Sequence, residues 1–146
     1  MRGLEVAVRH LYPKDRPAMK VLFDTNILID HLHGIGAASA VLASYSDGAI
    51  SAISWVEVMA GVAEEQDTAV RLWLDRFHLI DIDADIAVYA ADLRRDRGLD
   101  LADALILATA QAGGRTLITR DRGLVHELDD PPVLVPYDLS APEAEA

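Results

Sequence analysis

An alternation constrains this chain more than any other feature. Short apolar runs, each followed at once by polar residues, are separated by stretches with a helical period. Val21-Leu22-Phe23 is a run of the kind buried on both faces, and Asp24-Thr25-Asn26 follows it directly. Ile27, Leu28 and Leu32 then open a helical period. The same reading predicts strands at Ala49–Ile53, Leu79–Ile82, Thr116–Thr119 and Val133–Val135. It predicts helices over Ala37–Tyr45, Ser54–Ala63, Thr68–Phe77, Asp85–Arg95 and Leu101–Ala112. Ser46-Asp47-Gly48 reads as a turn, and Arg97-Gly98 and Gly113-Gly114 as helix stops. Strands that alternate with helices need crossover connections, which give a mostly parallel sheet covered on both faces. The expected class is therefore α/β: a three-layer α/β/α sandwich around a short, mostly parallel sheet of four to five strands. Pro131 and Pro132 put the last strand at an edge.

One domain accounts for a chain of 146 residues. Residues 1–18 hold no sustained period and carry Pro13 and Pro17, so they are expected to be an extension outside the fold, with Met19 as an alternative start. Residues 19–137 form the expected domain, and 138–146 an acidic flexible tail. The absence of cysteine excludes a disulfide scaffold, a thiolate zinc site, an iron–sulfur cluster and a cysteine nucleophile. No apolar run nears the ~18–20 residues that span a bilayer, and the first residues lack a signal-type apolar core. A cytoplasmic protein is expected. The formal net charge is −11. Such a total disfavours a broad phosphate-binding surface but suits a site that collects hard cations, so placement decides.

In parallel α/β folds, sites lie beyond the C-terminal ends of the strands, near a switch in strand order. Asp24 follows the first strand, Glu57 stands one turn into the helix after the second, and Asp121 comes just past Thr119 of the fourth. Asp103 lies in the first turn of the apolar helix that feeds this fourth strand. Each has a plain alternative. Asp24 can cap the next helix, Ser54 and Glu57 can form a capping box, Asp103 can answer a helix dipole, and Asp121 can be a turn residue. Capping alone does not explain why a nearly apolar helix begins with Asp100 and Asp103 on one side. Carboxylates crowded together repel, and a bound dication relieves that repulsion. Mg2+ or Mn2+, with oxygen ligands and retained water, suits phosphodiester hydrolysis.

The segments VLFDTNILID from Val21, SAISWVEVMAG from Ser51, DLADALILATA from Asp100 and TLITRD from Thr116 together resemble the PIN-domain nucleases. Within them the chain is similar to the VapC-type toxin ribonucleases of bacterial toxin–antitoxin pairs. The resemblance covers nearly all of 19–135. It implies that Asp24, Glu57, Asp103 and Asp121 are the acidic quartet that holds divalent metal. It also implies that Thr25, Asn26 and Thr119 support the site, with Asp100 as an accessory acid or a helix cap. It further implies RNA as substrate, a cognate antitoxin that inserts a basic segment, and a homodimer. Leu124 stands where many relatives have an aromatic, and Arg120 and Arg122 flank the last acid.

Arg94, Arg95, Arg97, Arg115, Arg120 and Arg122 are the candidate phosphate contacts; a solvated, salt-bridged face is the alternative. His10, His31, His33, His78 and His126 have no zinc-site spacing, and Trp55 and Trp73 read as core or dimer contacts. A phosphatase of the haloacid-dehalogenase type needs a second acid where Asn26 stands, and both it and a receiver domain need a downstream lysine. The lysines are Lys14 and Lys20, so both readings fail. The rivals that remain are an RNA-processing nuclease of the same fold without an antitoxin and a non-catalytic binding module.

Overall fold

The computed structural model describes residues 19–126 and 130–139. The expectations placed on 1–18 and on 140–146 lie outside them. Five strands, β1 (Lys20–Phe23), β2 (Asp47–Ser51), β3 (His78–Ile80), β4 (Thr116–Ile118) and β5 (Val133–Leu134), form one sheet in the order β3-β2-β1-β4-β5. Every pairing is parallel. The helices are α1 (Thr25–Leu32), α2 (Gly36–Ala43), α3 (Ala52–Ala60), α4 (Asp67–Leu74), α5 (Ala84–Arg97) and α6 (Leu101–Gly113). β5 lies at an edge, as its prolines require.

Side chains alternate across the sheet, and both faces are buried. Val21, Phe23, Ile50 and Ile118 pack on one side with Ile27, Leu28, Val41, Val58 and Val70 of α1 to α4. Leu22, Ala49 and Leu117 pack on the other with Ile106, Leu107 and Ala110 of α6, and α5 closes that layer through Ile86 and Ala90. Helix α6 is buried from Ala104 through Ala110, as expected of a helix apolar on every side. Gly98 and Gly114 stop α5 and α6 with positive φ, a conformation that suits a residue without Cβ. His31 lies in the last turn of α1, stacked on Trp73 with ring centroids 4.7 Å apart.

β2 differs from its expected span. It starts two residues early because Asp47 and Gly48 pair with Lys20 and Val21. It stops at Ser51 because that hydroxyl accepts from the backbone N–H of Ile53 and caps α3. The Ser54–Glu57 capping box is therefore incorrect. Ser54 is inside the helix and fully buried, with its hydroxyl committed elsewhere.

The chain runs from β1 to β2 and β3 in one direction, then returns to place β4 and β5 on the far side of β1. The order thus switches between β1 and β4. The residues that leave these two strands at their C-terminal ends are Asp24 and Thr119.

Candidate active site

Asp24 ends β1 and caps α1. Its Oδ1 accepts from the backbone N–H of Thr25 at 2.7 Å, and its own N–H donates to Ile118 O of β4 at 2.9 Å. Thr119, with no exposed surface, donates its hydroxyl to Asp24 Oδ2 at 2.7 Å. That hydroxyl oxygen accepts from Asn26 Nδ2 at 3.2 Å and from the N–H of Asp121 at 3.0 Å. Its one donor and two acceptor sites are all in use. Asn26 is oriented in turn, because its Oδ1 accepts from the N–H of Arg120 at 3.1 Å. Thr25 turns the other way. Its hydroxyl lies 2.6 Å from Glu57 Oε1 and 2.8 Å from Ser54 Oγ, which ties the start of α1 to the middle of α3. Thr25, Asn26 and Thr119 therefore hold acids in place.

Asp100 caps α6, accepting from the N–H of Asp103 at 2.9 Å, and Asp121 accepts from the N–H of Gly123 at 2.8 Å. Three of the acids are thus genuine caps. Capping does not compete with a role in a site, since it fixes a carboxylate at a helix start while leaving lone pairs free. Asp24, Glu57, Asp100, Asp103 and Asp121 line one open depression of about 570 Å³, with Thr25, Asn26 and Ile106 in its walls. The structure brings together every acid singled out from the sequence.

The electrostatics reflect that crowding. Asp24 is 5% exposed, and burial pushes its carboxyl above the usual range. The bonds from Thr119 and Thr25 resist that rise, while Glu57 and Asp121 add to it. Asp103 is raised to about 6, first by burial and then by Asp100, Asp24, Asp121 and Glu57. No lysine or arginine is paired with any of these five acids among the described residues.

The arginines are placed differently from one another. Arg120 donates Nε and Nη2 to the two carboxylate oxygens of Asp30, at 2.7 and 3.0 Å. Arg95 pairs with Asp92, and Arg122 lies 3.8 Å from Asp138. Arg94 and Arg97 occupy the last turn of α5. Arg115 corrects an expectation. It precedes β4, so it sits at the opposite end of the sheet from the acids, with its guanidinium donating to Val21 O, Asp47 O and Asp47 Oδ1. Its place just before a strand already encoded this. Two residues escaped the sequence reading, Asp30 and Tyr137. The signal for Asp30 was a carboxylate one turn beyond Asn26, between Ile29 and Leu32 of the same helix.

The PIN domain family model matches residues 21–129. Ribonuclease VapC19 of Mycobacterium tuberculosis is 34% identical over 107 residues, covering 67% of this chain and 86% of the relative. A structure described as a toxin–antitoxin complex from Klebsiella pneumoniae contains a chain 41% identical, with a TM-score of 0.76, covering 82% of this chain and 100% of that one. FitAcB from Neisseria gonorrhoeae has a chain 25% identical with a TM-score of 0.66, covering 80% and 97%.

Proposed function

The chain belongs to the PIN domain family, and from that premise we propose that it is a divalent-metal-dependent endoribonuclease, the toxin of a type II toxin–antitoxin module. The convergence of acids at the switch point, unneutralised by any paired cation among the described residues, carries the reading. The relatives support it: one is named a ribonuclease, and another was solved as part of a toxin–antitoxin complex.

The donor set is all oxygen, which selects a hard cation such as Mg2+ or Mn2+ over softer metals. Among the described residues, no group of three or more His, Cys, Asp or Glu side chains is placed to hold a metal ion by itself. An open arrangement fits an ion that keeps several waters and takes one or two carboxylates. Asp24, Asp103 and Asp121 would hold the ion. When bound, it supplies a water of lowered pKa and stabilises charge on the phosphoryl oxygens. Glu57, its carboxylate fixed by Thr25, would ligate or orient the attacking water. Asp24 cannot turn away from the depression, because Thr25 and Thr119 hold both its oxygens.

The antitoxin reading has a surface to match. Ile29, Leu32, Val58, Val62, Ala63 and Val70 line an apolar groove of about 440 Å³ that shares Ile29 and Glu57 with the acidic depression. A partner segment lying there would deliver a basic side chain to the acids, matching charge to charge. Val56 and Leu72 are exposed on α3 and α4, where a homodimer contact is proposed. No helix among the described residues is long and apolar enough to cross a membrane, and an RNA substrate puts the proposed activity in the cytoplasm.

The test is cleavage of a mixed single-stranded and hairpin RNA by the purified, antitoxin-free chain. Mg2+ or Mn2+ should be required, EDTA should stop the reaction, and mapped ends should carry 3′-hydroxyl and 5′-phosphate. Cleavage that survives EDTA, or that Asp24→Asn performs at full rate, overturns the proposal.

A further inference from the structure

Asp30 is 5% exposed, and three hydrogen bonds from two distant parts of the chain meet on its carboxylate. Arg120 supplies the bidentate pair, and the Tyr137 hydroxyl, from the segment after β5, donates to Oδ2 at 2.8 Å. Burying an aspartate is costly unless its lone pairs are satisfied. Here they are satisfied by Arg120, from the turn carrying Asp121, and by Tyr137, from the segment after β5.

Asn26 and Asp30 are four residues apart on α1 and so share one face. The 119–121 turn is tied to that face at both positions: Arg120 N–H to Asn26 Oδ1, and the Arg120 guanidinium to Asp30. Between these ties, Thr119 and Asp121 meet Asp24 through the Thr119 hydroxyl. Beyond Ile118 the Thr119 N–H still bonds Leu134 O of β5 at 3.0 Å, but past Thr119 the bonds from the turn to α1 all go to side chains. Side-chain bonds therefore decide where the turn, and Asp121 with it, sits relative to Asp24.

We propose that Asp30, Arg120 and Tyr137 form a positioning clamp that sets the separation of Asp24 and Asp121, so that Arg120 serves the site through Asp30 and not by touching RNA. The proposal rests on the metal-nuclease reading for its consequence in catalysis, and on geometry alone for the clamp. Removing a group that orients a metal ligand costs about 10–100-fold in metal affinity or activity. The sign is diagnostic. Deleting a positive charge beside an acidic site would tighten a dication by Coulomb's law, whereas losing the clamp loosens it.

The experiment compares Arg120→Ala, Arg120→Lys, Asp30→Asn and Tyr137→Phe in the full chain, with the melting temperature of each recorded. Native-state amide exchange is read first. In Arg120→Ala the N–H groups of Arg120 and Asp121 should exchange about 10-fold faster while those of β1 and α6 stay protected. Mn2+ affinity, by calorimetry, should weaken about 10-fold in both Arg120→Ala and Asp30→Asn. On RNA, kcat should fall with KM within about twofold. Tyr137→Phe and Arg120→Lys, gentler changes, should give smaller losses in the same order and keep the test alive if Arg120→Ala does not fold. Unchanged amide exchange, or tighter Mn2+ binding in Arg120→Ala, overturns the clamp whether or not the protein cuts RNA. A raised KM with a salt slope reduced by about one, confined to Arg120→Ala, would make Arg120 a phosphate contact instead. A wild-type chain that binds Mn2+ but leaves RNA intact would sink the nuclease reading alone.

Discussion

The two ends of the sheet treat charge in opposite ways. At the N-terminal end, Arg115 is 8% exposed, and its guanidinium is bonded to two strand carbonyls and the Asp47 carboxylate. A buried cation there is matched by oxygen on β1 and β2. At the C-terminal end, five carboxylates face one depression, and the donors that meet them are neutral hydroxyls, an amide and backbone N–H groups. One end is electrostatically complete within the chain. The other leaves its carboxylates without a paired lysine or arginine among the described residues, and that asymmetry separates the edge matched within the chain from the edge for which chemistry is proposed.

Two substitutions press on that contrast hardest. Asp24→Asn keeps the size of the side chain and removes the acid most deeply held in the site. RNA cleavage should fall about 10²–10³-fold, as when a single group that stabilises developing charge is lost. At pH 7.5 without metal the variant should melt within a few degrees of wild type, because losing a carboxylate disfavoured by burial and by its neighbours offsets the lost bond from Thr119, which an amide nitrogen cannot accept. Arg115→Ala should do the reverse. It orphans two buried carbonyls and Asp47, costing about 2–3 kcal/mol in denaturant unfolding, while kcat per folded molecule stays within about twofold. A large loss of activity in folded Arg115→Ala would end the division between the two edges.

The contrast also shows how far the sequence could be read. The strand and helix order was legible because each face of the sheet is apolar and each helix has a clear break, such as Gly98 and Gly114. Asp24, Glu57 and Asp121 were legible because they come just after strands, where parallel sheets place their sites, and Asp100 and Asp103 because they open the apolar helix that feeds β4. The mistakes came where one side chain had two local options. Ser51 and Ser54 are both competent caps, and the choice fell to Ser51 because the buried Ser54 hydroxyl meets Thr25 across the fold. Asp30 and Tyr137 stayed hidden since the partners that meet on Asp30, Arg120 and Tyr137, are 90 and 107 residues away from it. Long-range polar contacts leave no periodic trace.

A smaller effect follows from pH. In the folded chain Asp24 and Asp103 are raised above the ordinary value of 3.8, Asp103 to about 6. The native state therefore holds more protons than the unfolded state between about pH 4 and 6, so metal-free stability falls as pH rises through that window and stays low above it. A dication relieves the penalty only where the acids are ionised. Mg2+ at ten times its Kd contributes about 1.4 kcal/mol, a few degrees of Tm, at pH 7.5, and markedly less at pH 5. Differential scanning calorimetry with and without Mg2+ at the two pH values checks the sign.

The finest distinction concerns Asp100, which is both a cap and, after burial, the largest contributor to the raised Asp103. Asn caps a helix about as well as Asp, so Asp100→Asn keeps α6 intact and removes only the charge. Asp103 should then ionise at lower pH, and the acid limb of the pH–rate profile should move down with it. The plateau rate should stay within a few-fold of wild type, because protons compete less with the metal while the other acids remain. If the plateau instead dropped as far as in Asp24→Asn, Asp100 would itself be a ligand. The acidic end of the sheet would then need a fourth or fifth carboxylate where three and a water-orienting Glu57 otherwise suffice.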